Sequence, residues 1–218
     1  MQIKCLNVIG VERSGTNWLE VLLRDNVCTE VWPHKKHEPR PQLFTGWNRE
    51  YGNKMKDAGF SNDNVGYVAI IKNPWAWAVS FTKKVNWKVK PRFNITGKEL
   101  PNDLKLCIEH YWNGNNLSYI NMAEKYPDRF MVVTYDDMIL NDWRKTIRKI
   151  ASHFDIELNR PLRNTPKTIG ANRKVHNKKF NYDYYNTKQY LQKLTKSEIR
   201  WINNNANARV MTYCGFAL

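Results

Sequence analysis

Runs of branched aliphatic residues alternate along this chain with stretches whose apolar positions recur three and four apart. Residues 3–11 are almost continuously apolar, the pattern of a strand buried on both faces. Trp18, Leu19, Leu22 and Leu23 then follow helical spacing, which predicts a helix from Ser14 to about Asp25. A short strand is expected at residues 29–32 and a second buried strand at 66–71. Pro74 suits the first turn of a helix running to about Lys84. Residues 104–125 carry a long helical pattern, and residues 130–134 (Phe130, Met131, Val132, Val133, Thr134) read as a further strand. Residues 142–153 are amphipathic, with Ile147, Ile150 and Phe154 on one side. Thr195, followed three residues later by Glu198, has the form of a capping box at a helix start.

The segments between are less informative. Residues 33–66 are polar and rich in Gly, Pro and Asn, and most of them carry no assignable element. Residues 88–101 read as a loop. Residues 159–190 are basic and aromatic with little periodicity. Strands alternating with helices imply an α/β chain with a mainly parallel sheet flanked by helices. In such sheets ligands bind beyond the carboxyl ends of the strands. At 218 residues, one domain spanning 1–218 is the natural expectation.

Charge narrows the partners. Lys and Arg number 35 against 20 Asp and Glu, a formal net charge of +15. That balance points to polyanions: nucleic acid, an acidic membrane surface, a sulfated or phosphorylated glycan, or a multiply charged nucleotide. The four cysteines (Cys5, Cys28, Cys107, Cys214) are widely spaced and form no zinc pattern. They read as reduced and mostly buried, which fits a cytoplasmic compartment. The chain enters its first strand directly, without a signal-peptide pattern or membrane anchor, and no apolar run is long enough to span a bilayer.

The candidate chemistry begins where the first strand meets the first helix. Gly10 and Gly15 have the spacing of a phosphate-binding loop. A nucleotide triphosphatase places Lys and then Ser or Thr after the second glycine, for the terminal phosphates and for magnesium. Here Thr16 and Asn17 follow, and the cation, Arg13, lies inside the loop. A strand-to-helix turn bearing a surface arginine would share the pattern.

Arg13, Ser14, Gly15, Thr16, Asn17, Trp18 and Leu19 resemble the donor loop of sulfotransferases that use 3'-phosphoadenosine 5'-phosphosulfate (PAPS). The resemblance extends to three further stretches. Lys72, Asn73, Pro74 and Ser80 are similar to the family's second signature, in which an Arg and a Ser eight residues later hold the donor's 3'-phosphate. Lys72 replaces that Arg, a point charge in place of a bidentate fork, and Ala76 replaces a family Asp. Thr134, Tyr135, Asp136, Asp137 and Met138, with the basic helix after them, resemble the family's third strand and helix. Leu194 to Ile202 and Tyr213 to Phe216 resemble its last helix and terminus. Residues 40–66 and 86–103 have no counterpart.

The resemblance implies a P-loop-like nucleotide-binding fold in three layers and sulfuryl transfer from PAPS, leaving 3'-phosphoadenosine 5'-phosphate (PAP), with no metal required. It implies roles residue by residue. Ser14, Gly15, Thr16 and Asn17 would cradle the 5'-phosphosulfate, using backbone N–H groups and a helix N-terminus. Arg13 would meet the transferred sulfuryl group and the leaving-group charge. Trp18 matches an aromatic residue that packs on the adenine, and a core Trp fits that position equally. Lys72 and Ser80 would hold the 3'-phosphate, with Arg173 a loose counterpart of the family's basic segment there. Lys35, His37 and Pro39 match the family's Lys-x-His-x-Pro. His37 is thus the candidate general base, with its near-neutral pKa, and Lys35 the cation beside it. His34 and Glu38 are its rivals for the base, and Tyr135 would lie near it.

Trp75, Trp77 and Trp87 lie among Lys83, Lys84, Lys88, Lys90 and Arg92, which suits either a carbohydrate cradle or helix core beside a solvated charged face. The acceptor hydroxyl of a glycan, small molecule or tyrosine is therefore left open. Two other function classes compete: a P-loop nucleotide kinase, for which Thr16 and Asn17 are wrong, and a non-catalytic polyanion binder, which the charge alone supports.

Overall fold

The computed structural model describes residues 2–32, 57–60, 63–84, 92–93, 99–100, 107–163, 167–169, 175–179 and 181–217. Four strands form one parallel sheet: β1 (Cys5–Ile9), β2 (Glu30–Trp32), β3 (Val65–Ile71) and, after two short strands, β6 (Phe130–Thr134). Its order is β2-β1-β3-β6, so the chain leaves β1 for one side and returns to pair on the other. The reversal opens a crevice between the carboxyl ends of β1 and β3.

Every residue of β1 and β3 is buried, as continuous apolar runs require when both faces are covered. The two-residue period divides them. Cys5, Ile9, Val65, Tyr67, Ala69, Ile71 and Phe130 belong to one core cluster. Leu6, Val8, Val68, Ile70, Met131 and Val133 belong to the other. Helices α1 (Thr16–Asn26) and α4 (Trp143–His153) cover the second face. The first face carries α2 (Pro74–Lys84), α3 (Asn113–Lys125), α6 (Lys196–Asn205) and α7 (Ala208–Cys214). The result is the expected three-layer α/β architecture.

Several elements differ from their sequence patterns. The helix expected from Ser14 starts at Thr16, because Gly15 takes the N-cap position in a left-handed conformation. The long pattern at 104–125 resolves into a π-helical stretch, Cys107–Trp112, running into α3. A second π-helical stretch, Asp137–Asp142, joins β6 to α4, where Asp142 accepts from the Arg144 N–H at 3.0 Å. Two residue pairs inside the expected loop at 88–101 form an antiparallel ladder, β4 (Arg92–Phe93) with β5 (Glu99–Leu100). The weakly periodic 159–190 region contains the hairpin β7 (Lys167–Ile169) and β8 (Val175–Lys179), then the short helix α5 (Tyr182–Asn186). A 3-10 turn, Gln189–Lys193, leads to α6. The capping box forms as predicted: the Thr195 N–H donates to the Glu198 carboxylate at 2.7 Å and the Glu198 N–H to the Thr195 hydroxyl at 3.1 Å. The cysteines are free, and Cys28 is exposed, which corrects the mostly buried expectation at that position. Among the described residues, no helix is long and apolar enough to cross a membrane.

Candidate active site

The glycine loop leaves β1 at its carboxyl end and passes over the crevice. Gly10 has no room for a side chain: a Cβ there would lie 2.7 Å from the Ile70 carbonyl on β3. Gly15 is doubly constrained. Its φ of +97° belongs to the left-handed region, and a Cβ would come within 2.5 Å of the Tyr135 ring. Arg13 also takes a positive φ, 71°, a strained conformation for a residue with a side chain. The Ser14 N–H donates to the Val11 carbonyl at 3.1 Å, which closes the turn. From α2 the Trp77 indole N–H donates to the Glu12 carbonyl at 2.8 Å and ties the loop to the opposite wall.

Two polar atoms inside this loop have no hydrogen-bond partner among the described residues. They are Nε of half-buried Arg13 and Oγ of Ser14, which is completely buried. Buried polar groups normally find partners, and an orphan costs about 1–3 kcal/mol. A cationic side chain and a hydroxyl kept in this condition suit an anion that enters from the crevice.

The next strand supplies a cation already provided with partners. Lys72, one residue past β3, is 3% exposed. Its ammonium donates to the Ser80 hydroxyl at 3.1 Å and to the Tyr185 hydroxyl at 3.0 Å. It also stands 4.5 Å above the centre of the Tyr135 ring and 4.9 Å from that of Tyr185. Strand β3 and the second turn of α2 thus bring Lys72 and Ser80 together as their spacing predicted. The Lys72 carbonyl accepts the Trp112 indole N–H at 3.0 Å, which anchors the backbone from the π-helical stretch.

Asn73 organises the neighbouring corner. Its carbonyl oxygen accepts the Ala76 N–H at 2.8 Å, so the side chain caps the start of α2. Its amide donates to both oxygens of Asp136, at 3.0 and 2.8 Å. Burial raises the Asp136 pKa, while the Asn73 bond and the charge of Lys72 pull it back. One asparagine therefore couples the ends of β3 and β6 to the helix that carries Ser80.

The sequence model of the sulfotransferase domain family matches residues 6–205. The chain belongs to the sulfotransferase domain family. A search of curated proteins by sequence finds no match. Among solved structures it is similar to mouse sulfotransferase SULT7A1 complexed with PAP, at 16% identity and a TM-score of 0.40. That likeness covers 73% of this chain and 60% of the mouse chain.

Within this sulfotransferase domain, Arg13, Ser14, Gly15, Thr16, Asn17, Trp18, Lys72, Ser80 and Tyr135 gather at the carboxyl end of the parallel sheet. Trp18 is buried and packs edge-on against Tyr135, with ring centres 6.0 Å apart. His37, its rivals His34 and Glu38, Lys35 and Arg173 lie outside the described residues, as does Trp87. Trp75 and Trp77 prove to be core. Their rings are 3% and 0% exposed, and their indole N–H groups are spent on Asn203 and Glu12, so neither lines a sugar cradle. Aromatic residues on a helix buried against a sheet satisfy core packing first.

The sequence does not mark four roles at this site: Asn73 as a tether, Asp136 as its partner, Trp112 and Tyr185. The Asn-Pro pair at a strand end was a usable signal for the first, since that dipeptide favours turn initiation and Pro suits a helix's first turn. Nothing local marks Tyr185, which lies 113 residues from its lysine partner.

Proposed function

We propose that this chain transfers a sulfuryl group from PAPS to an acceptor hydroxyl by in-line displacement. The observation that carries this is the pairing of two anion-ready groups at one crevice: Arg13 and Ser14 atoms in the loop that have no hydrogen-bond partner among the described residues, and the Lys72–Ser80 pair beside them. Both fall on the family's donor signatures, with Lys72 in place of the second signature's Arg. The backbone of Ser14, Gly15, Thr16 and Asn17 would receive the 5'-phosphosulfate at the start of α1. Trp18 and Tyr135 would wall the nucleotide. Lys72 and Ser80, with Arg173, would take the 3'-phosphate.

In this reading His37 removes the acceptor proton as its oxygen attacks sulfur. The bond from sulfur to the 5'-phosphate oxygen breaks, and PAP leaves with the bonding electrons. Arg13 offsets the charge that builds on the bridging oxygen, and Lys35 that on the sulfuryl oxygens. The chemistry needs no metal. The acceptor in this reading is a hydroxyl of a separate glycan, small molecule or tyrosine, and the chain acts as a single domain, 1–218, in the cytoplasm.

Isothermal titration with PAP, with and without magnesium and alongside ATP, tests the donor site. Binding that is tight, magnesium-independent and lost in Arg13→Ala or Ser80→Ala supports the proposal. Magnesium-dependent ATP hydrolysis would favour the kinase reading. Salt-sensitive polyanion binding without PAP affinity would favour the reading based on net charge. His37→Ala is expected to keep PAP binding and lose transfer, and transfer retained in that variant rules out His37 as the base.

A further inference from the structure

The outer face of helix α4 carries a run of cations with an exposed leucine at its head. The inner face is core: Trp143, Ile147 and Ile150 are buried against the second face of the sheet. The exposed positions fall in adjacent pairs one turn apart: Leu140 and Asn141, Arg144 and Lys145, Arg148 and Lys149. Ser152 and His153 continue the pattern, and no carboxylate occupies any of these positions. Four cations therefore lie within about 8 Å of helix axis. A packed helix with Asp142 as its N-cap holds them in fixed register.

The surrounding carboxylates offset this charge only at its margins. Half-buried Asp142 stands 3.7 Å from the Arg144 guanidinium. Asp137 accepts from the Asn141 amide at 3.1 Å, and Asp155 and Glu157 lie past the helix's end. Elsewhere on the described surface cations and carboxylates are interleaved: Arg209 pairs with Glu124, and Arg129 with Asp63.

Three kinds of polyanion suit a basic face: nucleic acid, an acidic glycan and an anionic bilayer. Leu140 separates them. It is 43% exposed, one of two large hydrophobic side chains so exposed among the described residues, and it precedes the first cation pair by one turn. A nucleic acid or a soluble glycan meets such a face through phosphate or sulfate alone and gives a lone aliphatic side chain no burial. A bilayer serves both groups. Its headgroups meet the cations, whose aliphatic stems lie along the interface, and its acyl boundary takes the leucine.

We propose that the outer face of α4, from Leu140 to Lys149, docks this chain peripherally on an anionic phospholipid surface. The net charge of +15 draws the chain to such a surface, and the α4 face fixes its orientation there. Leu140 lies four residues past Asp136, so the docked face adjoins the carboxyl end of the sheet where the crevice opens. The proposal is independent of the donor-site reading.

The test measures sedimentation of the full chain with vesicles of phosphatidylcholine, with and without phosphatidylserine, and its binding to heparin and duplex DNA as soluble polyanions. One variant combines Arg144→Gln, Lys145→Gln, Arg148→Gln and Lys149→Gln. A second removes the same charge elsewhere, by Lys4→Gln, Lys125→Gln, Lys196→Gln and Arg200→Gln. A third is Leu140→Ser. All these side chains are exposed, and a melting curve of each variant confirms folding. The chain is expected to bind vesicles that contain phosphatidylserine and to leave pure phosphatidylcholine unbound. Each cation lost from α4 should weaken binding about fivefold, so the first variant loses about a hundredfold or more and the second less than about tenfold. Leu140→Ser should weaken vesicle binding about fivefold and leave heparin binding unchanged. Equal losses in the two charge variants overturn the proposal, because net charge alone then accounts for the binding. Vesicle binding that is absent in the unmodified chain overturns it too. Vesicle binding untouched by Leu140→Ser also overturns it, and makes a soluble polyanion the occupant of the face.

Discussion

The glycine loop and the lysine cage lie at the carboxyl ends of adjacent strands, and they hold polar groups in opposite conditions. Arg13 and Ser14 keep buried polar atoms without hydrogen-bond partners among the described residues. Lys72 is surrounded by Ser80, Tyr185 and the face of Tyr135. The loop stays ready for an anion at a cost in stability, because its groups have given up water without replacement. The cage loses little in the empty protein, yet its groups must exchange partners when an anion arrives. Loop variants should therefore trade stability against binding, whereas cage variants should change binding with less effect on stability.

The largest effect is expected from Gly15→Ala. A left-handed φ of +97° and a ring 2.5 Å from the new Cβ oppose the same methyl group. Equilibrium denaturation should show a loss of about 3 kcal/mol or more, with PAP binding lost alongside. Full stability in that variant would mean that the Tyr135 ring yields easily and that the loop is less constrained than its geometry implies. Lys72→Met comes next. Removing a buried cation while keeping its volume should weaken PAP about a hundredfold and leave stability within about 1 kcal/mol. A large destabilisation there would make the cage structural.

Ser14→Ala sharpens the contrast by sign. It deletes an unpartnered hydroxyl, so stability should rise by about 1 kcal/mol while PAP affinity falls about tenfold. Destabilisation would show that the hydroxyl contributes to the folded state by itself.

The smallest effect concerns alkaline pH. Burial raises the phenols of Tyr135, Tyr185 and Tyr190 above 10, the last to about 12 with Asp136 adding to it. The folded chain holds these protons more tightly than the unfolded chain. Their contribution is therefore present below pH 10 and lost as pH rises toward about 12 at Tyr190. Denaturation curves at stepped pH should show stability falling over that window, and Tyr190→Phe should flatten the fall. No change in slope would remove Tyr190 from the account.

Much of the fold could be read because its causes are local. Continuous apolar runs marked β1, β3 and β6, and helical spacing marked α1 and α4. The interval from Lys72 to Ser80 is set by one strand end and two helical turns, so their meeting was also legible. The π-helical stretches were not, since they replace α-helical bonding without altering the hydrophobic pattern enough to show. Trp75 and Trp77, among nearby lysines, fitted either a sugar site or a core, and only packing against the sheet decided for the core.

By itself the sequence determined the alternation of strands and helices, the glycine loop, the capping box at Thr195 and the placement of a cation and a hydroxyl eight residues apart. Each of these follows from backbone preference and repeat over a few residues. Tertiary structure alone decided that Asn73 meets Asp136 across 63 residues and that Tyr185 meets Lys72 across 113. Those contacts depend on how parallel strands and distant helices converge at the sheet's carboxyl end, and no short-range pattern in the chain encodes that convergence.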